Sequence, residues 1–412
     1  MAEARNEGAP AAGWGTALVA LACGAAILLF SLGIRHAFGL FLQPVSADLG
    51  WGRETFAFGM AVQNLVWGVA QPATGMISDR FGAVPVVIGG ALLYAAGLVL
   101  MGLSSDSLPF TLGSGVLIGL GLSGTTFPVV FGTLSRLVPE ERRSLAMGIT
   151  MAVGSFGQFI MLPAALTLLA AFDWRGALIG LSVLAAVMVP LAFGLLERRE
   201  APAPGAAIAS QSAGDALREA AGMRDFWLLA FGFFACGFQV VFIAVHLPAF
   251  LADEGLGADV ATVVLALIGL VNIAGAYLAG RWGGFYSKPA LLVGIYLARG
   301  ALIAVFVLLP VTAASAYVFG ALMGLFWLST VPLTNGTVAA VWGVRHMSML
   351  GGFVFLAHQL GSFAGGWMGG WLYDRTGSYD AAWMVAVGLS LVAALLNWPI
   401  RETPVAARAA AA

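Results

Sequence analysis

Apolar runs of about twenty residues or more recur along the whole chain, separated by short polar breaks, and this decides which solvent the fold requires. A helix crosses the hydrocarbon of a bilayer with roughly 20 consecutive apolar residues. Composition agrees, with 60% hydrophobic residues and only 9% Asp, Glu, Lys or Arg, where soluble domains carry about 25% charged residues. A water-soluble fold cannot hide that much apolar surface. The expectation is an all-α membrane protein with twelve transmembrane helices, at roughly 16–42, 54–78, 83–103, 109–135, 144–170, 174–196, 226–251, 260–280, 289–309, 313–338, 347–372 and 380–400. The 55 glycines fit this solvent, because helices in lipid associate by close backbone packing.

Several function classes are excluded at this level. A net charge of −1 implies no nucleic acid or other polyanionic partner. Cys23 and Cys236 both fall inside apolar runs, so neither a disulfide framework nor paired metal-ligand spacing is present. The first apolar run is too long for a signal-peptide core and lacks a basic start, which makes it a retained span. No Walker loop, Ser-His-Asp arrangement or HExxH helix is present. No enzyme activity, cofactor or metal is expected, and ATP is not the energy source. A single Lys in an Ala- and Arg-rich chain suggests a bacterial source of high genomic GC.

The longest break, 197–225, is polar, holds Pro202 and Pro204, and divides the spans six and six. The expected organisation is a tail 1–15, a six-helix half 16–196, a linker 197–225, a second half 226–400 and a tail 401–412. Of the 19 cations, Arg35 and Arg299 lie inside spans. Arg53, Arg175 and Arg375 lie on one side of the membrane and the other fourteen on the side of the termini. Cytoplasmic loops carry the cation excess, so both termini are expected in the cytoplasm, in a bacterial inner (plasma) membrane. The halves also match internally. Gly68, Gln71, Arg80 and Gly82 correspond to Gly269, Asn272, Arg281 and Gly283 at a shift of 201, and Pro128, Gly132, Thr133 and Ser144 to Pro332, Gly336, Thr337 and Ser348 at a shift of 204.

A parallel repeat of six-span halves is the plan of the major facilitator superfamily, with the substrate site between the halves near the midplane. The loop after span two, Gly75-Met-Ile-Ser-Asp79-Arg80-Phe-Gly82, resembles the GxxxDRxG loop of that superfamily, which can latch the halves in one state. The basic pair that usually follows is replaced by Ala83, Val84 and Pro85. Arg142-Arg143-Ser-Leu145-Ala146-Met-Gly148 followed by Gly154-Ser155-Phe-Gly157 resembles the second motif of the monocarboxylate porters, and Gly13-Trp14-Gly15 matches part of their first. Gly33-Ile-Arg35-His36-Ala-Phe38-Gly39 is similar to their first span, and Tyr373-Asp374-Arg-Thr-Gly377-Ser-Tyr379-Asp380 to the end of their eleventh. The oxalate/formate exchangers share much of this pattern. The resemblance implies a transporter of small organic anions that works as a monomer. One departure matters: the Asp and Arg that those porters carry four residues apart in span eight, tied to proton coupling and anion binding, are Asn272 and Ala276 here.

Cost sorts the candidate residues, since a charge at the bilayer centre costs about 2.5–3.5 kcal/mol on insertion scales. Arg35 and Arg299 are the only charges well inside spans, while all 20 acids lie at span ends or in loops. A net cationic interior suits an anionic substrate, and a guanidinium holds a carboxylate through two parallel hydrogen bonds. Arg35, about 10 Å of helix from Leu42, either binds substrate or snorkels to the interface. Arg299, about 15 Å from either end of its span, assists or braces neighbouring helices. His36, His246 and His358 are proton-carrier candidates or neutral hydrogen-bonded imidazoles. Asn64, Gln158, Gln239 and Asn272 complete the expected substrate lining, together with His36 and His358; each can equally bridge helices.

Three readings stand. One is secondary or facilitative transport of small organic anions, most simply monocarboxylates, by uniport, proton symport or anion exchange. The second is export of hydrophobic drugs or metabolites, against which stand the missing GPxxGG-like stretch in span five and the absence of a buried acid. The third is a non-transporting sensor, for which the linker is too short to be an output domain.

Overall fold

The computed structural model describes residues 14–51, 53–197 and 211–405. Gly13 of the partial first motif, Pro202 and Pro204 of the linker, and the cations Arg5, Arg198, Arg199 and Arg408 lie outside the described residues.

Among the described residues, twelve helices cross the bundle. They are α1 (Trp14–His36), α2 (Arg53–Phe81), α3 (Ala83–Leu103), α4 (Ser107–Leu137), α5 (140–172), α6 (174–195), α7 (Arg224–Asp253), α8 (Ala258–Trp282), α9 (Lys288–Leu308), α10 (Ala313–Trp342), α11 (Met347–Thr376) and α12 (Asp380–Asn397). A short linker helix, Ala213–Gly222, precedes α7, and its Ser212 hydroxyl caps it by accepting from the Asp215 amide. Ten of the described segments are long and apolar enough to cross a membrane. One of them, Glu140–Leu195, contains both α5 and α6, which turn at Asp173 (φ 59°, ψ −177°). The Asp173 carboxylate accepts the Gly176 amide and so starts α6. The twelfth crossing is α2, whose polar stripe keeps it out of the ten. The first span departs from the expected 16–42: α1 stops at His36, passes through a 3-10 turn (Ala37–Phe41), and resumes as Leu42–Leu49.

That polar stripe has a structural cause. Helix α4 is broken at Thr126, which is extended (φ −120°, ψ −163°) just before Pro128. In lipid the backbone groups freed by a break need partners inside the protein. Gln71 Nε2 and Thr74 Oγ1 of α2 both donate to the Ser123 carbonyl, at 2.8 and 3.1 Å. The second half repeats the device. Helix α10 is interrupted between Phe326 and Thr330, and Asn272 of α8 accepts the Leu328 amide at 3.0 Å. Gln71 and Asn272 are the pair related by the shift of 201, so the repeat seen in the sequence is a repeat of this stitch.

The halves meet on the side of the membrane that carries the linker, here called the linker side. There α2 packs on α11 and α5 on α8. The backbones touch at glycines: a Cβ on Gly75 would stand 2.2 Å from the Ser348 carbonyl oxygen, and one on Gly148 2.5 Å from the Gly280 Cα. Asn272 adds a hydrogen bond across the same interface, donating to Ser155 Oγ at 2.7 Å. Ala276 is buried at this interface, with its carbonyl 2.9 Å from the position of a Gly148 Cβ.

Because the clash at Gly75 is with backbone, a Gly75→Val protein cannot close its linker side. Spin-label distances between the linker-side ends of α2 and α11 are expected to lengthen in this variant relative to the unsubstituted protein.

Candidate functional site: a cationic cavity above a latched interface

Above the closed interface the halves diverge and enclose a cavity of about 280 Å³. Its N-terminal wall is Leu32, Arg35, His36, Asn64, Trp67, Phe127 and Gln158, and α7, α10 and α11 supply the other with Val240, Val241, Trp327, Phe355, His358 and Gln359. His36 and Val245, also in the lining, are exposed, so the cavity opens away from the linker side.

Arg35 is the only cationic side chain of fixed charge in this lining, which contains no carboxylate. Its Nη2 donates to Asn64 Oδ1 at 2.6 Å, and its guanidinium carbon lies 5.2 Å from the Trp67 ring centroid. Asn64 is itself oriented by donating to the Met60 carbonyl, and Trp67 by donating to Gln71 and Thr126. The Arg35 Nε has no hydrogen-bond partner. The guanidinium is thus fixed on one side by an amide and an aromatic face, neither of which neutralises it. That arrangement suits recognition of an anion entering from the open side.

The expected site residues divide. Arg35, His36, Asn64, Gln158 and His358 come together around the cavity. Gln239 does not join them: it is buried and donates to the Ala386 carbonyl and the Ser390 hydroxyl of α12. Asn272 is occupied at the break in α10 and the contact with Ser155. His246 is turned to the Gly366 carbonyl, at 2.8 Å, and to Tyr379, away from the lining. Arg299 is completely buried on the inner face of α9, against Cys236 of α7. Gln239, Asn272 and Arg299 are thereby corrected as lining residues, and His246 as a carrier meeting the cavity: Gln239, His246 and Arg299 face the interior of their own half, and Asn272 faces the break in α10 and Ser155 of the other half.

The GxxxDRxG loop forms a latch, with a partner the motif does not name. Asp79 Oδ2 accepts the Met349 amide at 2.8 Å and Oδ1 the Ser348 amide at 3.2 Å, so a carboxylate of one half caps α11 of the other. A carboxylate at a helix N-terminus is favoured by the unsatisfied amides and the helix dipole. Arg136 at the end of α4 then binds Asp79 at 2.9 Å, clasps Glu197 through Nε and Nη2 at 3.0 and 2.9 Å, and reaches the Val344 carbonyl at 3.3 Å. Arg80 stacks on Phe81 and faces a linker-side vestibule of about 700 Å³. Gly82, at φ 91°, makes the turn into α3 that only glycine adopts without strain. Arg136 and Glu197 were missed from sequence because they lie far from the motif. The expected span ended at 135 and left Arg136 among the loop cations, whereas α4 runs to Leu137 and holds it at the helix end.

A twelve-helix bundle in two six-helix halves around a central cavity is an architecture of membrane transporters. The comparisons with known proteins then place it. The sequence profile of the Major Facilitator Superfamily matches residues 21–366. The chain is 31% identical to human Monocarboxylate transporter 11 over 401 residues, 93% of this chain and 82% of that one. It is 26% identical to the Hexuronate transporter of Bacillus subtilis over 373 residues, 85% of each. Its fold matches the crystal structure of the transporter FucP in the outward conformation with a TM-score of 0.76, at 14% identity, covering 93% of this chain and 98% of that one. The chain belongs to the Major Facilitator Superfamily, in its monocarboxylate-transporter branch. It is a multi-pass membrane transporter and not an enzyme.

The latch should be sensitive to its arginine. Arg136→Gln removes the cation that clasps Glu197 and Asp79 in a poorly exposed site, which costs about 3–5 kcal/mol in the linker-closed state. Thermal unfolding in detergent should show a lower Tm for Arg136→Gln, with Arg136→Lys falling between it and the unsubstituted protein.

Proposed function

We propose that the protein carries small organic anions, most simply monocarboxylates, across the bilayer by alternating access between its halves. The observation that carries this reading is the cavity's charge: a fixed Arg35 guanidinium with no carboxylate in the lining. The cavity's volume suits a substrate of a few heavy atoms, and the names of two relatives, a monocarboxylate and a hexuronate transporter, both specify carboxylates. The transport mode is uniport, proton symport or anion exchange. His36 at the cavity mouth and His358 in its wall are the histidines placed to exchange protons with it, whereas His246 is not.

The cation excess favours a cytoplasmic linker side, and the proposal takes the protein to be a monomer in a bacterial inner (plasma) membrane. The state described is then outward-facing, closed toward the cytoplasm by Asp79 and Arg136. The loop residues Gly75, Asp79, Arg80 and Gly82 act as the gate. Inward opening requires release of the α11 cap. The alternative, export of hydrophobic compounds, is favoured by the apolar part of the wall, Val240, Val241, Trp327 and Phe355.

Purified protein in liposomes, given a panel of labelled carboxylates with and without a pH gradient, should take up at least one of them. Arg35→Gln should reduce that uptake by roughly tenfold or more, the loss of one charge-assisted hydrogen-bonded contact. Uptake that survives Arg35→Gln, or transport confined to uncharged hydrophobic compounds, removes the proposal.

A further inference from the structure

Helices α8 and α9 are joined on the linker side by the short loop 283–287, yet they diverge, and both pack on α10 instead of on each other. The divergence leaves a cleft of about 240 Å³ between them. Leu278 and Ala279 of α8 and Leu291 and Ile295 of α9 form its sides, and Leu325 and Phe326 of α10 its floor. Its one hydroxyl, Ser329, is already used, donating to the Leu325 carbonyl at 2.7 Å. Beyond its rim the cleft therefore offers an occupant only apolar contact. Gly294 lines it and is exposed, and a Cβ added there would meet nothing within 4 Å. No residue of α8 or α9 lines the transport cavity, so this opening faces the bilayer on the far side of α10.

Two features say what fills it. The first is size and depth. From Gly275 to Trp282 the cleft follows about 10 Å of helix, two-thirds of the roughly 15 Å of hydrocarbon in one leaflet. A partner helix 10–12 Å across would need roughly 800 Å³ over that length. The cleft holds less than a third of that, the space of a single chain of methylenes. Its floor is the interrupted part of α10, between Phe326 and Thr330. Irregular backbone at membrane depth has to be covered, and an unfilled gap forfeits the dispersion contacts of its lining. The second feature is the rim. Trp282 stands exposed at the linker-side mouth, with Phe285 and Tyr286 exposed in the loop beside it, and aromatic side chains of this kind mark the headgroup level. Arg281, next to Trp282, is exposed and makes no ion pair among the described residues, whereas Lys288 across the loop is held by Glu402. The mouth thus presents one uncompensated cation above an apolar slot.

We propose that the cleft binds one anionic phospholipid of the linker-side leaflet, with an acyl chain between α8 and α9 and the phosphate on Arg281. The segment of α10 that floors the cleft with Leu325, Phe326 and Ser329 turns Trp327, Leu328 and Val331 to the transport cavity. The lipid therefore braces the cavity wall from behind. The break is secured by Asn272 through the Leu328 amide and covered on its bilayer side by the chain. None of this depends on what is transported.

Native mass spectrometry of the protein released from detergent, with phosphatidylglycerol and phosphatidylcholine of identical chains supplied together, tests the site without substrate. The unsubstituted protein is expected to retain one phosphatidylglycerol in about fivefold preference to phosphatidylcholine, the worth of one cation at a membrane surface. Arg281→Gln should bring the two lipids to parity. Gly294→Phe, whose ring enters the open cleft, should lose both, and phosphatidylglycerol should raise the Tm of the unsubstituted protein but not of Gly294→Phe. Arg281 is exposed at a helix end, so Arg281→Gln decides the matter even where Gly294→Phe does not fold. Equal retention of the two lipids by the unsubstituted protein, or a preference that survives Arg281→Gln, overturns the proposal. So does retention undiminished in folded Gly294→Phe, or a dimer that Gly294→Phe dissociates, which would give the cleft to a second copy of the chain.

Discussion

A guanidinium held in a bilayer without a carboxylate is the condition around which this structure is organised. Each half contains one such group, and the two are handled differently. Arg35 is half-buried, fixed by Asn64 and Trp67, and left facing a cavity open to one side of the membrane. Arg299 is fully buried on α9 with the Cys236 thiol of α7 as its neighbour. Since a charge in hydrocarbon is expensive, neither position is explained by packing alone. The first becomes favourable when an anion arrives from solvent.

The two-sided access that transport needs follows from how the halves touch. On the linker side glycines bring backbones together, and the Asp79 carboxylate caps a helix of the opposite half. This contact is strong because carboxylate and helix terminus are both largely withdrawn from water, yet it is small enough to release as a unit. The broken helices α4 and α10 stand beside the cavity, each secured by a side chain from the symmetry-related position of α2 or α8. Irregular backbone at membrane depth is tolerated where such partners or a cavity satisfy it. The polar stripe of α2 therefore serves two ends: its outer residues Asn64 and Trp67 shape the site, and its inner residues Gln71 and Thr74 hold a neighbour together.

The fold was legible from apolar run length and from the repeat, because lipid allows so few backbone solutions that span length and small residues constrain them strongly. Arg35 and His358 could be read as cavity residues for a similar reason, since buried polarity in a membrane has few purposes. The sequence could not show which way each polar side chain turns about its helix. Gln239 and Asn272 look equivalent to Asn64 in spacing, but they face α12 and α10, because breaks and neighbouring helices set the demand for hydrogen bonds. Arg136 escaped notice because the latch joins residues 57 positions apart, and no local pattern records that pairing. Cys236 was read only as an absent disulfide; its contact with Arg299, 63 residues away, leaves no local pattern.

The central claim is that the cavity recognises negative charge through Arg35. Isothermal titration of the purified protein with a transported carboxylate and with its uncharged methyl ester tests it without reference to flux. The account predicts saturable binding of the carboxylate and none of the ester, with the carboxylate signal abolished in Arg35→Gln. Equal binding of acid and ester, or undiminished carboxylate binding by Arg35→Gln, would contradict it.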